Sequence, residues 1–251
     1  MKEVIRLILS PIWKAWFMLC FAIPFLILYP FFGIAFITRQ IGFAFFLKKI
    51  WAFFICLFAG IYPKITYVGK KHILPKQCVI VANHTSYLDI VLSVFYIKHT
   101  ALYMGKSELL KAPLFKSFFK YMDIPVNRKS RIDPARALEK AAEEIDKGRS
   151  MIIYPEGTIA NEGILMRFKN GPFKLAIDKQ VPIIPVVNLN NWQLLQNGGF
   201  FKSLGRPGIS RIVVCQAIQT KGLTEENLVT LRDEVHAIIE HELKKYRQHL
   251  S

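Results

Sequence analysis

The sequence predicts an α/β fold: a mixed central sheet flanked by helices, preceded by a hydrophobic two-helix hairpin that anchors it to a membrane. Three observations lead there. A long uncharged apolar segment opens the chain, a second follows it directly, and beyond Lys64 short β-branched runs alternate with amphipathic or charged stretches. The expected division is therefore 1–63 as membrane-anchoring helical hairpin and 64–251 as α/β domain. A chain of 251 residues holds one full-sized domain and a short appendage.

The first apolar segment has no charge from Ala15 to Thr38, and the second, Ile41 to Pro63, is broken only by Lys48 and Lys49. The first is long enough to cross a bilayer. It is too long for a secretory signal peptide, shows no small-residue cleavage site and runs straight into another apolar stretch, so a permanent anchor is expected. Pro24 and Pro30 each remove a backbone hydrogen bond and are expected to interrupt or kink the helix. Arg39, Lys48 and Lys49 would each cost a spanning helix roughly 2.5–3.5 kcal/mol at mid-membrane. Two helices lying in one leaflet, with Trp13, Trp16 and Trp51 at headgroup level, account for these features, as does a two-span hairpin. Removal of the segment is expected to leave a more soluble remainder.

After the anchor, strands are expected at Ile65 to Val68, Val79 to Ala82, Ala101 to Met104, Ile124 to Val126, Met151 to Tyr154, Ile183 to Val187 and Ile212 to Cys215. One helix is expected from Asp133, with Pro134 in its first turn, to Lys147, with Gly148 ending it. A second begins with Thr224 as N-cap and Asn227 three residues on, and lines up Leu228, Leu231, Val235, Ile238 and Ile239 on one face.

Composition narrows the partners. A net charge of +16 and 20 phenylalanines favour an anionic partner and lipid contact: a phospholipid surface, an acidic carrier protein or nucleic acid. The two apolar segments argue against nucleic acid. Positive charge is densest from Lys98 to Arg131, where eight basic residues stand against two acidic ones, a patch suited to anionic headgroups or an acidic acyl carrier. Cys20, Cys56, Cys78 and Cys215 are far apart and form no C-x-x-C pair, so no zinc or redox motif is indicated, and a reducing compartment fits them.

The chemistry concentrates just after a predicted strand, in Val81-Ala82-Asn83-His84-Thr85-Ser86-Tyr87-Leu88-Asp89. Five residues turn about 140° around a helix, so His84 and Asp89 meet only if His84 lies in the turn before it. Asp89 would then hold one ring nitrogen and leave the other as acceptor, the arrangement of a general base whose nucleophile comes from the substrate. Asn83-His84-Thr85 also fits a glycosylation sequon, a reading at odds with a reducing-side setting. A serine hydrolase would show G-x-S-x-G and a zincin H-E-x-x-H; neither is present, and His236 and His241 read as solvent-facing helix residues.

Four ordered blocks resemble the glycerolipid (lysophospholipid) acyltransferase family with its H-x4-D motif, typified by the bacterial 1-acyl-sn-glycerol-3-phosphate acyltransferases. They are His84 with Asp89; Lys106-Ser107-Glu108-Leu109 and Pro113, followed by Ile124-Pro125-Val126-Asn127-Arg128; Tyr154-Pro155-Glu156-Gly157-Thr158; and Val181-Pro182-Ile183-Ile184-Pro185-Val186. The resemblance covers roughly Ile65 to Ile218. It implies a membrane O-acyltransferase that moves a fatty acyl group from acyl carrier protein or coenzyme A onto the hydroxyl of a lysolipid, with 1-acyl-glycerol-3-phosphate giving phosphatidic acid. His84 and Asp89 would be catalytic, while Lys106, Arg128, Glu156, Gly157 and Thr158 would contact substrate. No metal or bound cofactor is expected, and the site would face the cytoplasmic side of a bacterial inner membrane. Oxyanion donors are sought among the Asn83 to Ser86 backbone amides. After Glu-Gly-Thr the family usually has arginine, but this chain has Ile159. Arg167 or Lys169 then has to supply charge for a phosphate acceptor, or the acceptor is a non-phosphate lysolipid such as a lyso-aminolipid. A membrane-remodelling scaffold would keep the anchor and the basic face but have no need of His84 or Asp89.

Overall fold

In the computed structural model, which describes residues 2–69, 75–111, 113–127, 130, 132–160 and 163–248, helices α1 (Lys2–Ile37) and α2 (Ile41–Ala59) form an antiparallel hairpin. The turn between them is closed by Arg39 in the left-handed region (φ 55°). Helix α1 continues through Pro11, Pro24 and Pro30. The expected interruption does not occur, because each proline deletes one helical bond while the face from Cys20 to Phe36 stays packed in the core. Both helices are long and apolar enough to cross a membrane.

Three tryptophans also join the two helices. The indole N–H of Trp13 donates to Ala59 O (3.1 Å), that of Trp16 to Phe58 O (2.8 Å) and that of Trp51 to Phe21 O (2.8 Å). Ala59 and Phe58 end α2, where carbonyls lack helical partners. The indoles therefore tie the two helices together, and Trp13 and Trp51 are half-buried in the process.

Strand β1 (Ile61–Tyr67) follows at once, starting four residues before the predicted Ile65. Pro63 is tolerated there because β1 is an edge strand. The chain then gives β2 (Val79–Ala82), α3 (Leu88–Ser93), β3 (Ala101–Lys106), a 3₁₀ turn (Ser107–Lys111), α4 (Pro113–Tyr121), β4 (Ile124–Val126), α5 (Asp133–Asp146) and β5 (Ser150–Ile153). It ends with α6 (Gly171–Asp178), β6 (Ile183–Asn188), α7 (Asn191–Leu194), β7 (Gly208–Val214), a 3₁₀ turn (Glu225–Asn227) and α8 (Leu228–Gln248).

The seven strands form one mixed sheet in the order β1-β7-β6-β2-β5-β3-β4. Strands β6, β2, β5, β3 and β4 are mutually parallel and β7 runs antiparallel to β6. β2, β5 and β6 are buried at every position, as expected of parallel strands covered on both faces. Pro185 lies inside central β6, between the isolated bridge in which Ile183 exchanges two 2.9 Å bonds with Ile218 and the ladder with β7 that starts at Val186; its carbonyl accepts Cys215 N (2.9 Å).

Helix ends follow the local chemistry. Gly148 (φ 81°) closes α5 by donating to Ile145 O (2.8 Å). Thr224 and Asn227 form a reciprocal capping box ahead of α8. That helix buries Leu228, Leu231, Val235, Ile239 and Leu243; Ile238 packs half-buried against the same core, and Leu243 extends the expected face by a turn. His236, expected in solvent, packs edge-on against Phe168 at 4.7 Å between ring centroids.

The hairpin shares its core with the sheet domain. Phe118 of α4 lies between Phe32 (4.8 Å) and Phe36 (5.2 Å) of α1, and Phe115 stacks on Phe25 (5.3 Å). Lys48 of α2, buried, reaches Asp123 Oδ2 at 2.7 Å and sits 4.7 Å from the centre of the Tyr103 ring. Asp123 Oδ1 in turn accepts the backbone N–H of Tyr103 (3.1 Å). A truncation would thus bare Phe118 and take the ammonium of Lys48 from Asp123, so it cuts into the core of the sheet domain.

Candidate active site

Parallel strands bring their carboxyl ends to one edge of a sheet, where ligand-contacting loops gather. Here that edge collects Asn83 and His84 after β2, Tyr154 to Thr158 after β5, and Asn188 to Asn191 at the end of β6 and the start of α7. Ser210, near the amino end of antiparallel β7, joins them from the neighbouring strand.

His84 sits in the turn before α3 and Asp89 in that helix's first turn, so the two meet. His84 Nδ1 is 3.0 Å from Asp89 Oδ2, which also accepts the backbone N–H of Thr85 (2.6 Å) and of Ser86 (2.9 Å). Asp89 is completely buried. Three donors meet Oδ2 and one, Asn191 Nδ2 (2.8 Å), meets Oδ1, a set of partners that suits an acceptor-only carboxylate. An ionised carboxylate only accepts, so Nδ1 carries the proton and Nε2 is left as the acceptor. Tyr154 stacks on the imidazole at 4.1 Å and 22°, fixing the ring plane.

Glu156 is also buried. Its Oε1 accepts His84 N (2.7 Å) and its Oε2 accepts Met166 N (3.1 Å), so both oxygens hold backbone. Burial pushes its carboxyl up to about 7, against the pull of those two bonds. The amides of His84, Thr85 and Ser86 are therefore occupied by Glu156 and Asp89. The expectation that this turn supplies oxyanion donors fails at those three positions.

Gly157 adopts φ 74°, and a Cβ there would fall 2.7 Å from Lys169 Nζ. The position thus needs glycine for its backbone and for the lysine lying across it. Lys169 N also donates to Pro155 O (3.0 Å). Arg167 faces α8: the Asp233 carboxyl is held below its usual range chiefly by a hydrogen bond from Arg232, with His236 and Arg167 adding charge. Of the two candidate cations, Lys169 is the one beside the Glu156-Gly157-Thr158 turn. Thr158 is exposed and Ile159 half-buried. Lys106, at the end of β3, is exposed and 3.4 Å from Glu108. Arg128 lies outside the described residues; just before it, Asn127 N donates to Asp133 Oδ2 (2.5 Å), tying the end of β4 to α5. Among the described residues no three His, Cys, Asp or Glu side chains converge as a metal site requires. Cys78 and Cys215 are buried thiols, pushed up by desolvation to about 11 and about 12.

Sequence reasoning missed the amides. Asn83 and Asn188 clamp the ends of β2 and β6 through three bonds (Asn83 Nδ2 to Asn188 O, 3.0 Å; Asn188 N to Asn83 Oδ1, 2.7 Å; Asn188 Nδ2 to Asn83 O, 2.8 Å). The available signal was the run Asn188-Leu189-Asn190-Asn191 directly after a predicted strand.

Residues 64–188, which contain all of these loops except Asn190, Asn191 and Ser210, match the family model described as Acyltransferase. The chain belongs to the acyltransferase family. Among curated relatives, it is 29% identical over 176 residues to a 1-acyl-sn-glycerol-3-phosphate acyltransferase of Chlamydomonas reinhardtii, covering 69% of this chain and 51% of that one. It is 32% identical over 165 residues to the human 1-acyl-sn-glycerol-3-phosphate acyltransferase beta, covering 64% and 58%. The chain thus spans about half to three fifths of the length of these family members. The crystal structure of the 1-acyl-sn-glycerophosphate (LPA) acyltransferase PlsC from Thermotoga maritima superposes with a TM-score of 0.73 over 98% of both chains, at 21% identity. That likeness establishes that the whole fold, hairpin included, is one the family uses.

Proposed function

We propose that this protein transfers a fatty acyl group from a thioester, acyl carrier protein or coenzyme A, to the free hydroxyl of 1-acyl-glycerol-3-phosphate, giving phosphatidic acid. The observation that carries the reading is the buried Asp89 carboxylate gripping His84 Nδ1 at 3.0 Å, which leaves Nε2 as a base at the loop-bearing edge of the sheet. Nε2 takes the hydroxyl proton as the acceptor oxygen attacks the thioester carbonyl. The tetrahedral adduct collapses, the C–S bond breaks, and the imidazolium returns the proton to the departing sulfur. Ester and free thiol result, and Asp89 stabilises the imidazolium in between.

Glu156, with both oxygens on backbone amides, holds the catalytic turn to the β5 loop; Thr158 and Lys169 are the groups that face outward beside it. Lys169 supplies the positive charge that Ile159 does not, and with Lys106 and Arg128 it recognises the phosphate. The relatives named above are described as acting on 1-acyl-sn-glycerol-3-phosphate, which supports this acceptor. The apolar stretch Leu9–Ile37 has 29 residues, about 44 Å of helix against a hydrocarbon core of roughly 30 Å. Since one face of it packs on α4 of the sheet domain, we place the hairpin within one leaflet, on the cytoplasmic side of the membrane, with the basic surface towards anionic headgroups.

Ile159 favours a second reading, in which the acceptor is a lysolipid without phosphate. The test is thioester-dependent acylation by purified protein across a panel of lysolipids. Highest catalytic efficiency on 1-acyl-glycerol-3-phosphate supports the first reading, and strong preference for a zwitterionic or carboxylate lysolipid replaces it with the second.

A further inference from the structure

We infer that Asn191 is a positioning residue for the His84–Asp89 pair, holding the carboxylate oxygen that His84 does not use. The inference rests on the general-base reading of His84. Asp89 Oδ2 is saturated by His84 and two backbone amides, whereas the donor to Oδ1 is the side-chain amide of Asn191, at 2.8 Å. Because an ionised carboxylate has no proton to give, Asn191 must turn its NH₂ towards Asp89 and its carbonyl away. On that far side Ser210 Oγ lies 2.5 Å from Asn191 Oδ1, where its hydroxyl donates. The reversed amide would set its oxygen against the Asp89 carboxylate. The polarity of the chain is thereby forced: Ser210 donates to Asn191, Asn191 donates to Asp89, and His84 donates to Asp89 from the other side.

The supports are buried and come from separate elements. Asn191 and Ser210 are fully buried, in α7 and β7, and the Asn83–Asn188 clamp fixes the loop end that carries Asn191. The contact to Asp89 spans 102 residues of sequence. Asn191 acts through the carboxylate: a donor on Oδ1 spreads the negative charge over both oxygens and fixes the carboxylate plane, so that Oδ2 aims the imidazole.

Loss of that donor concentrates charge against the imidazole and raises its proton affinity, so a larger share of His84 is protonated, and inactive as base, at neutral pH. Among the described residues, the other titratable groups facing the pair are Glu156, from the loop after β5, and the buried hydroxyls of Tyr96 and Tyr154. None is altered by changes at position 191 or 210.

The experiment compares wild type, Asn191→Leu and Ser210→Ala in detergent, following acyl transfer to 1-acyl-glycerol-3-phosphate against pH together with the NMR titration of the His84 ring. For Asn191→Leu the expectation is a kcat about tenfold lower, unchanged KM for both substrates, and an upward move of both the acid limb of kcat/KM and the His84 titration. Ser210→Ala should move both in the same direction by less. An unmoved His84 titration, or a kcat loss that matches the loss of folded protein, overturns the proposal. If Asn191→Leu does not fold, the His84 titration of Ser210→Ala decides it alone. A wild type without acyl transfer, in which the titration still shifts on substitution, would remove the acyl-transfer reading and leave the positioning role supported.

Discussion

At the scale of single residues, Glu156 links chemistry to stability. Burial raises its carboxyl to about 7, so between about pH 4.3, its ordinary value, and 7 the folded protein keeps a proton that the unfolded chain has released. Stability should therefore fall as pH rises through that window, by on the order of 3 kcal/mol in total. Urea melts at pH 5 and pH 7.5 should show that slope in wild type and a flatter one in Glu156→Gln; equal slopes would contradict it. Lys169 makes a separate prediction. Lys169→Met should raise KM for the phosphate acceptor about tenfold with kcat little changed, and Ile159→Arg should be neutral or helpful; parallel assays on a phosphate and a zwitterionic lysolipid check both. The His84–Asp89 contact was legible in the sequence because the two lie five residues apart; Glu156, expected to contact substrate, instead spends both oxygens on the backbone amides of His84 and Met166. Asn191 was not legible, because nothing local marks a contact 102 residues away.

At the scale of elements, the hairpin behaves as part of the core. Lys48→Ala leaves Asp123 buried without its ammonium and should destabilise by about 3–5 kcal/mol, read as a lowered Tm in detergent. Phe118→Ala, which empties the space between Phe32 and Phe36, should cost a similar amount. Removal of residues 1–59 should give aggregated protein. A soluble, cooperatively melting fragment would show that the hairpin is dispensable. The strands were readable because parallel, doubly covered strands are short apolar runs, as in Val79–Ala82 and Ile183–Asn188. The start of β1 was not, since Ile61 and Tyr62 continue the apolar texture of α2 with only Gly60 between them. The role of the tryptophans was hidden for another reason: their N–H partners are carbonyls of the facing helix, and composition cannot distinguish those from headgroups.

At the scale of the whole molecule, an apolar hairpin, a net charge of +16 and a polar site at one sheet edge fit the proposal of an enzyme working at a lipid surface. The protein should sediment with membranes and need detergent for extraction. Its binding to anionic vesicles should weaken as salt screens the basic surface. Brominated lipids should quench the exposed Trp16 most strongly when the bromines lie near the headgroups; strongest quenching at the bilayer centre would contradict the one-leaflet placement. The account as a whole turns on Nε2 of His84 acting as the base in acyl transfer. The most direct test is the rate of thioester-dependent acylation of 1-acyl-glycerol-3-phosphate by purified, folded His84→Ala beside wild type. A fall of at least about 100-fold with membrane binding retained is predicted, and near-normal transfer by the variant would contradict it.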